Sequence, residues 1–139
     1  MRKVYIVAAK RTAIGKLMGG LTALQPGEMG ARVIKAVLAE GGIQPEQVDQ
    51  VIVGNVLCAG QKQGVARQAA ILAGIPAEVP AYGVNMICGS GMKSVLNAYT
   101  DIVAGNCEIV LAGGTESMSN AGFVMPGTLR AGNKMGNIH

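Results

Sequence analysis

Short aliphatic runs alternate along this chain with segments whose apolar residues return every three or four positions, and that alternation leaves few folds open. Val4-Tyr5-Ile6-Val7-Ala8-Ala9 reads as a buried strand, followed by a loop holding Gly15, Gly19 and Gly20. Pro26 and Glu28 open a helix with Val33, Ile34, Val37 and Leu38 on one face, and Gly41-Gly42 stop it. Val51-Ile52-Val53 is a second strand, residues 66–73 form a short helix ended by Gly74 and Pro76, and residues 79–84 form a third strand interrupted by Pro80. Met92, Val95, Leu96, Tyr99, Ile102 and Val103 mark a helix closed by Gly105-Asn106, and Ile109-Val110-Leu111-Ala112 is a last strand. The expected order is β-α-β-α-β-α-β. That is an α/β fold: a parallel sheet covered by helices on both faces, joined by right-handed crossovers. In such sheets ligands gather at the carboxyl ends of the strands.

With 139 residues the chain fits one ordinary domain. Its charged residues amount to 14 %, against roughly 25 % in typical soluble domains, so part of the surface is expected to be covered by another domain or subunit. The net charge of +4 is scattered, and one Phe, three Tyr and no Trp provide few stacking platforms, which argues against nucleic acid as a partner. Three cysteines without paired spacing do not read as a disulfide framework. Only six uncharged residues separate Lys3 from Lys10, too few for a signal segment or a membrane span, so a reducing cytoplasm is the expected setting.

Chemistry concentrates at Asn85-Met86-Ile87-Cys88-Gly89-Ser90-Gly91-Met92-Lys93-Ser94, where a strand turns into a helix. Cys88 falls at or just before the first helical turn. Free N–H groups and the positive dipole end there favour an anion, and Gly89 and Gly91 let a ligand come close to the backbone. These features describe an activated nucleophile, although a cysteine in an apolar chain often serves only packing. Cys107 opens the apolar run 107–112 and is expected in the core; Cys58 lies in a polar loop with no helix start beneath it.

Other motifs are incomplete. Gly89 and Gly91 invite a dinucleotide-binding reading, but Ser94 occupies the third glycine position and Glu108 begins the next strand instead of ending it. No glycine-rich stretch leads into Gly15-Lys16 as a P-loop requires. The cysteines are far apart and His139 is the one imidazole, at a terminus where frayed chain is expected, so no metal site is expected.

Four stretches resemble the N-terminal half of a thiolase, near the biosynthetic acetyl-CoA C-acetyltransferases. They are Ala9-Lys10-Arg11-Thr12-Ala13-Ile14-Gly15-Lys16, Ala66-Arg67-Gln68-Ala69-Ala70, residues 84–94 with Cys88-Gly89-Ser90-Gly91, and Gly113-Gly114-Thr115-Glu116-Ser117-Met118-Ser119-Asn120. The resemblance implies a thiolase-like fold and residues 1–139 as an incomplete N-terminal domain. In the family pattern the strand that finishes its sheet, the CoA-gripping insertion and the C-terminal domain lie beyond residues 135–137. It implies condensation of two acetyl-CoA to acetoacetyl-CoA and CoA, reversible as thiolysis, through an acyl group on Cys88. Gly89 and Ser90 would line the substrate turn, and Glu116 to Ser119 would shape the loop beside the nucleophile. No cofactor is implied beyond CoA thioesters as substrates, and the complete enzyme would be a homo-oligomer, dimer or tetramer, away from membranes.

The histidine that activates the thiol, an asparagine-held water and a second cysteine belong to the family's second half. This chain alone is therefore expected to be inactive or nearly so. It also departs from the family at Leu17-Met18, where an aromatic residue is common, at Cys58, where Gln is usual, and at residues 61–65, where an Asn is usual in a loop shaping the subunit contact. The alternative is a short association protein, pairing with itself or with a thiolase half without catalysis.

Overall fold

The computed structural model describes residues 2–132. Its first helix, α1 (Pro26–Gly41), starts with a capping box: Gln25 and Glu28 satisfy each other's backbone N–H, and the Gln25 N–H reaches Glu28 Oε2 at 2.8 Å. Gly42 ends it at φ 63°, a left-handed conformation that suits glycine. Next come β1 (Gln50–Gly54), α2 (Val65–Ala73), β2 (Ala81–Val84), α3 (Ser90–Ala104) and β3 (Val110–Gly114), with short 3-10 turns between and after them. The strands make one parallel sheet in the order β2-β1-β3, with Val51 beside both Ala81 and Leu111.

Val51, Val53 and Leu111 form the main core with Ile34 and Leu38 of α1 and Ala66, Ala69, Ala70 and Ala73 of α2. The small residues of α2 let α1 come close: a Cβ added at Gly30 would meet Ala69 Cβ at 3.0 Å. Side chains alternate across a strand, so the fully buried Ile52 faces the other side, where α3 packs through Ser94 and Ala98. Motif residues tie the connections down. Arg67 Nη1 donates to the Val79 carbonyl at 2.9 Å, and Gln68 Nε2 to that of Gln61 at 2.8 Å.

One expectation is corrected. Residues 4–9 form no strand, and Ile6 is 84 % exposed. A strand owes its stability to a ladder of hydrogen bonds, and among the described residues none borders this one. It is held near its ends by the Arg2–Glu108 ion pair and by Lys10 Nζ with Glu40 Oε1 at 3.0 Å. The observed order therefore opens on a helix: α-β-α-β-α-β. The periodic apolar face of α3 points outward, with Met92 72 % exposed. The helix lies so near β1 and β3 that only Ser90, Ser94 and Ala98 fit beneath it. His139 and residues 135–137 lie outside the described residues. Among the described residues no helix is long and apolar enough to cross a membrane.

Candidate active site

Three strand ends and one helix start converge on Cys88. The N-terminus of α3 is seated on backbone rather than on side chains: a Cβ at Gly54 would fall 2.5 Å from the carbonyl carbon of Ser90, and one at Gly114 would fall 3.3 Å from Gly91 Cα. Glycine at these strand ends lets the helix start drop into the carboxyl edge of the sheet. Ser94 fixes it there, its fully buried Oγ 2.7 Å from the Gly113 carbonyl.

The turn before α3 is tightly specified. Ile87 holds φ 51°, an uncommon conformation for a β-branched residue that costs about 1–3 kcal/mol. Its neighbours maintain it. Asn85 Oδ1 accepts the Ile87 N–H at 3.1 Å, while Ser90 Oγ accepts the Met86 N–H at 2.8 Å and donates to the Ile87 carbonyl at 2.6 Å. The result is an exposed Cys88 one residue before Gly89, the N-cap of α3; among the described residues no side chain occupies that cap. The thiol sits beside the first turn of α3, whose positive dipole end suits a sulfur nucleophile and the oxyanion formed when it attacks a carbonyl.

A cavity of about 470 Å³ opens over Cys88, lined by Gly54, Asn55, Val56, Leu57, Ile87, Ser90, Gly91, Gly114, Thr115, Glu116 and Met118. Its walls are largely apolar, with few polar groups, as is usual for small-molecule sites. The structure therefore brings Cys88, Ser90 and Glu116 to one pocket, while Gly89 supports it as the helix cap. Ser90 is 4 % exposed and its hydroxyl is already used in holding the turn. Cys58 is exposed on the following loop, with Sγ 3.0 Å from Asn55 Oδ1. Cys107 lies before β3, at the opposite edge of the sheet from the pocket. It is buried, which pushes its thiol pKa up; Asp101 and Asp49 add to the rise. Another hollow, lined by Gly122, Phe123, Val124 and Pro126, holds no ionisable or nucleophilic side chain.

Reading the sequence alone missed Gly54, Asn55 and the strain at Ile87. Gly54 ends its strand run and carried a signal, since glycine in a strand marks close backbone approach. Ile87 carried none.

The family model described as thiolase, N-terminal domain, matches residues 4–139. The chain belongs to the thiolase family. Among curated thiolase relatives, the acetyl-CoA acetyltransferase of Cupriavidus necator is 54 % identical over 136 residues, covering 98 % of this chain and 34 % of that one. The acetyl-CoA acetyltransferase of Chromobacterium violaceum is 51 % identical over 135 residues, covering 97 % and 34 %. A crystal structure of the Acat5 thiolase from Ascaris suum, in complex with coenzyme A, superposes with a TM-score of 0.87 at 37 % identity, covering 88 % of this chain and 32 % of that one. The chain thus spans about a third of the length of the thiolases it matches.

Proposed function

We propose that Cys88 is the acyl-accepting nucleophile of an acetyl-CoA C-acetyltransferase. Its sulfur attacks the thioester carbonyl of acetyl-CoA, a new C–S bond forms, and the bond to CoA breaks. CoA leaves as its thiol, carrying the proton that Cys88 gives up. The Cys88 N–H, at the helix start, helps hold the oxyanion in between. A second acetyl-CoA, deprotonated at its methyl group, then attacks the acyl carbon. Acetoacetyl-CoA is released and Cys88 regains a proton; the reverse sequence is thiolysis. Splitting the transfer at a covalent intermediate gives ping-pong kinetics. The observation that carries this reading is an exposed thiol at a helix start, facing a pocket built from the carboxyl ends of the sheet.

Acetyl-CoA and acetoacetyl-CoA are the substrates in this reading, with no separate cofactor, nucleic acid or membrane involved, and a homo-oligomer, dimer or tetramer, as the working assembly. Three free cysteines among the described residues favour a reducing cytoplasm. With His139 its one imidazole, the 139-residue chain is expected to accept an acetyl group rather than turn over. Incubation with acetyl-CoA and peptide mass spectrometry test this. Acetyl should appear on Cys88 and be absent from Cys107 and Cys58. No acetyl on Cys88, or equal labelling of Cys58, would overturn the assignment.

The outward apolar face of α3 favours a second reading, in which the chain acts by association with itself or with a thiolase half.

A further inference from the structure

Apart from Cys88, Glu116 is the one ionisable side chain that the described residues place on the wall of the pocket. Its carboxylate is engaged with a single loop on the facing wall. Asn55 Nδ2 donates to Oε1 at 2.9 Å, the Val56 N–H to Oε2 at 2.9 Å, and the Leu57 N–H to Oε1 at 3.3 Å. That loop leaves the end of β1, where the ladder can no longer satisfy its N–H groups. A carboxylate using both oxygens fixes the orientation of two successive peptide planes, and charge-assisted bonds are the stronger kind. The chain of contacts continues toward the nucleophile. Asn85 Nδ2 makes a long 3.5 Å bond to the Val56 carbonyl, and Asn85 Oδ1 holds the strained Ile87 that precedes Cys88.

We propose that Glu116 is a positioning residue for acyl transfer: it clamps residues 55–57 as a fixed wall so that a thioester is presented to Cys88 in reacting geometry. The proposal rests on Cys88 being the acyl acceptor. A misplacement of about 1 Å can cost roughly 100-fold in rate, so a loosened wall should act on the rate of transfer far more than on binding. Glutamine keeps one accepting oxygen but turns an NH₂ toward backbone donors, so it should restore only part of the effect.

The test follows stoichiometric acetylation of Cys88 by acetyl-CoA in the 139-residue chain, with the labelling of Cys107 read in the same samples as a measure of an intact fold. E116A should lower the saturating rate of Cys88 acetylation about tenfold or more, leave the half-saturating acetyl-CoA concentration within about twofold, and leave Cys107 protected. E116Q should fall between E116A and the parent chain. A rate within about twofold of the parent, with Cys107 protected, overturns the proposal. Should E116A expose Cys107, E116Q decides alone; should both expose it, Glu116 is a folding residue and the proposal is overturned. A parent chain that takes no acetyl on Cys88 overturns the functional reading, a result distinct from normal acetylation of the variants.

Discussion

Cys107 shows what position in the sheet does to a thiol. It precedes β3 and is buried, with Sγ 3.5 Å from Gln50 Oε1. Burial, then the charges of Asp101 and Asp49, disfavours its thiolate and raises its pKa. The folded chain therefore keeps this proton to higher pH than the unfolded chain does. Below about pH 8.5, where a free thiol begins to ionise, both states hold it and its contribution to stability is complete. As pH rises from there through the raised value, the unfolded chain loses its proton first and stability falls. Urea midpoints measured at about pH 7.5 and about pH 9.5 should decline for the parent chain and decline less for Cys107→Ala. An equal decline in both would remove Cys107 as the cause. The contrast between Cys107 and Cys88 was legible in the sequence because it depends only on which end of a strand each residue borders. The strain at Ile87 was not legible, since it is imposed by hydrogen bonds from Asn85 and Ser90 that form only when the turn closes.

Helix α3 is placed by the absence of side chains at the ends of β1 and β3. Gly54→Ala puts a methyl group 2.5 Å from the Ser90 carbonyl carbon and 2.6 Å from the Gly91 nitrogen, and neither backbone atom can move without shifting the helix start. Overpacking of this kind costs about 3 kcal/mol. Gly113→Ala meets nothing within 4 Å and should stay within about 0.5 kcal/mol of the parent. Denaturant unfolding of the two variants checks the difference; near-equal midpoints would mean that the helix start tolerates displacement. The helices α1 and α2 and all three sheet strands were legible as elements, because turn residues bounded them and their apolar runs were short. The strand expected at residues 4–9 failed for a reason outside its own composition: its Tyr, Ile and Val residues suit a strand, but a strand also needs a neighbour. The direction of α3 could not be read from its own residues. Its periodicity identified the helix, yet the close approach through Gly54 and Gly114 left room below it only for serine and alanine, so the large apolar residues turned outward.

At the scale of the molecule, low charge content and exposed apolar surface are one observation. Met92, Val95, Leu96 and Tyr99 lie along one face of α3 at three- and four-residue steps, 46–72 % exposed, and Tyr5, Ile6 and Val7 add an uncovered segment elsewhere. Contiguous apolar surface of this sort marks a contact site. The shortage of charge could be read in the sequence as a sign of hidden surface, but not which surface. Locating it required knowing that small residues had taken the inner side of α3. The same face begins at the pocket, since Met92 follows Gly91 of the cavity wall, so whatever covers α3 also borders Cys88. The consequence is measurable in the chain by itself. In sedimentation equilibrium the parent chain should run heavier than its 14.2 kDa monomer as concentration is raised, because water-exposed apolar faces can be buried against each other. Replacing Met92 and Leu96 together by lysine should return it to a monomer without exposing Cys107 to thiol reagents, since both side chains point away from the core. A parent chain that stays monomeric at every concentration would show that this face is too small to drive association, and would leave the acyl-accepting role of Cys88 as the better supported reading.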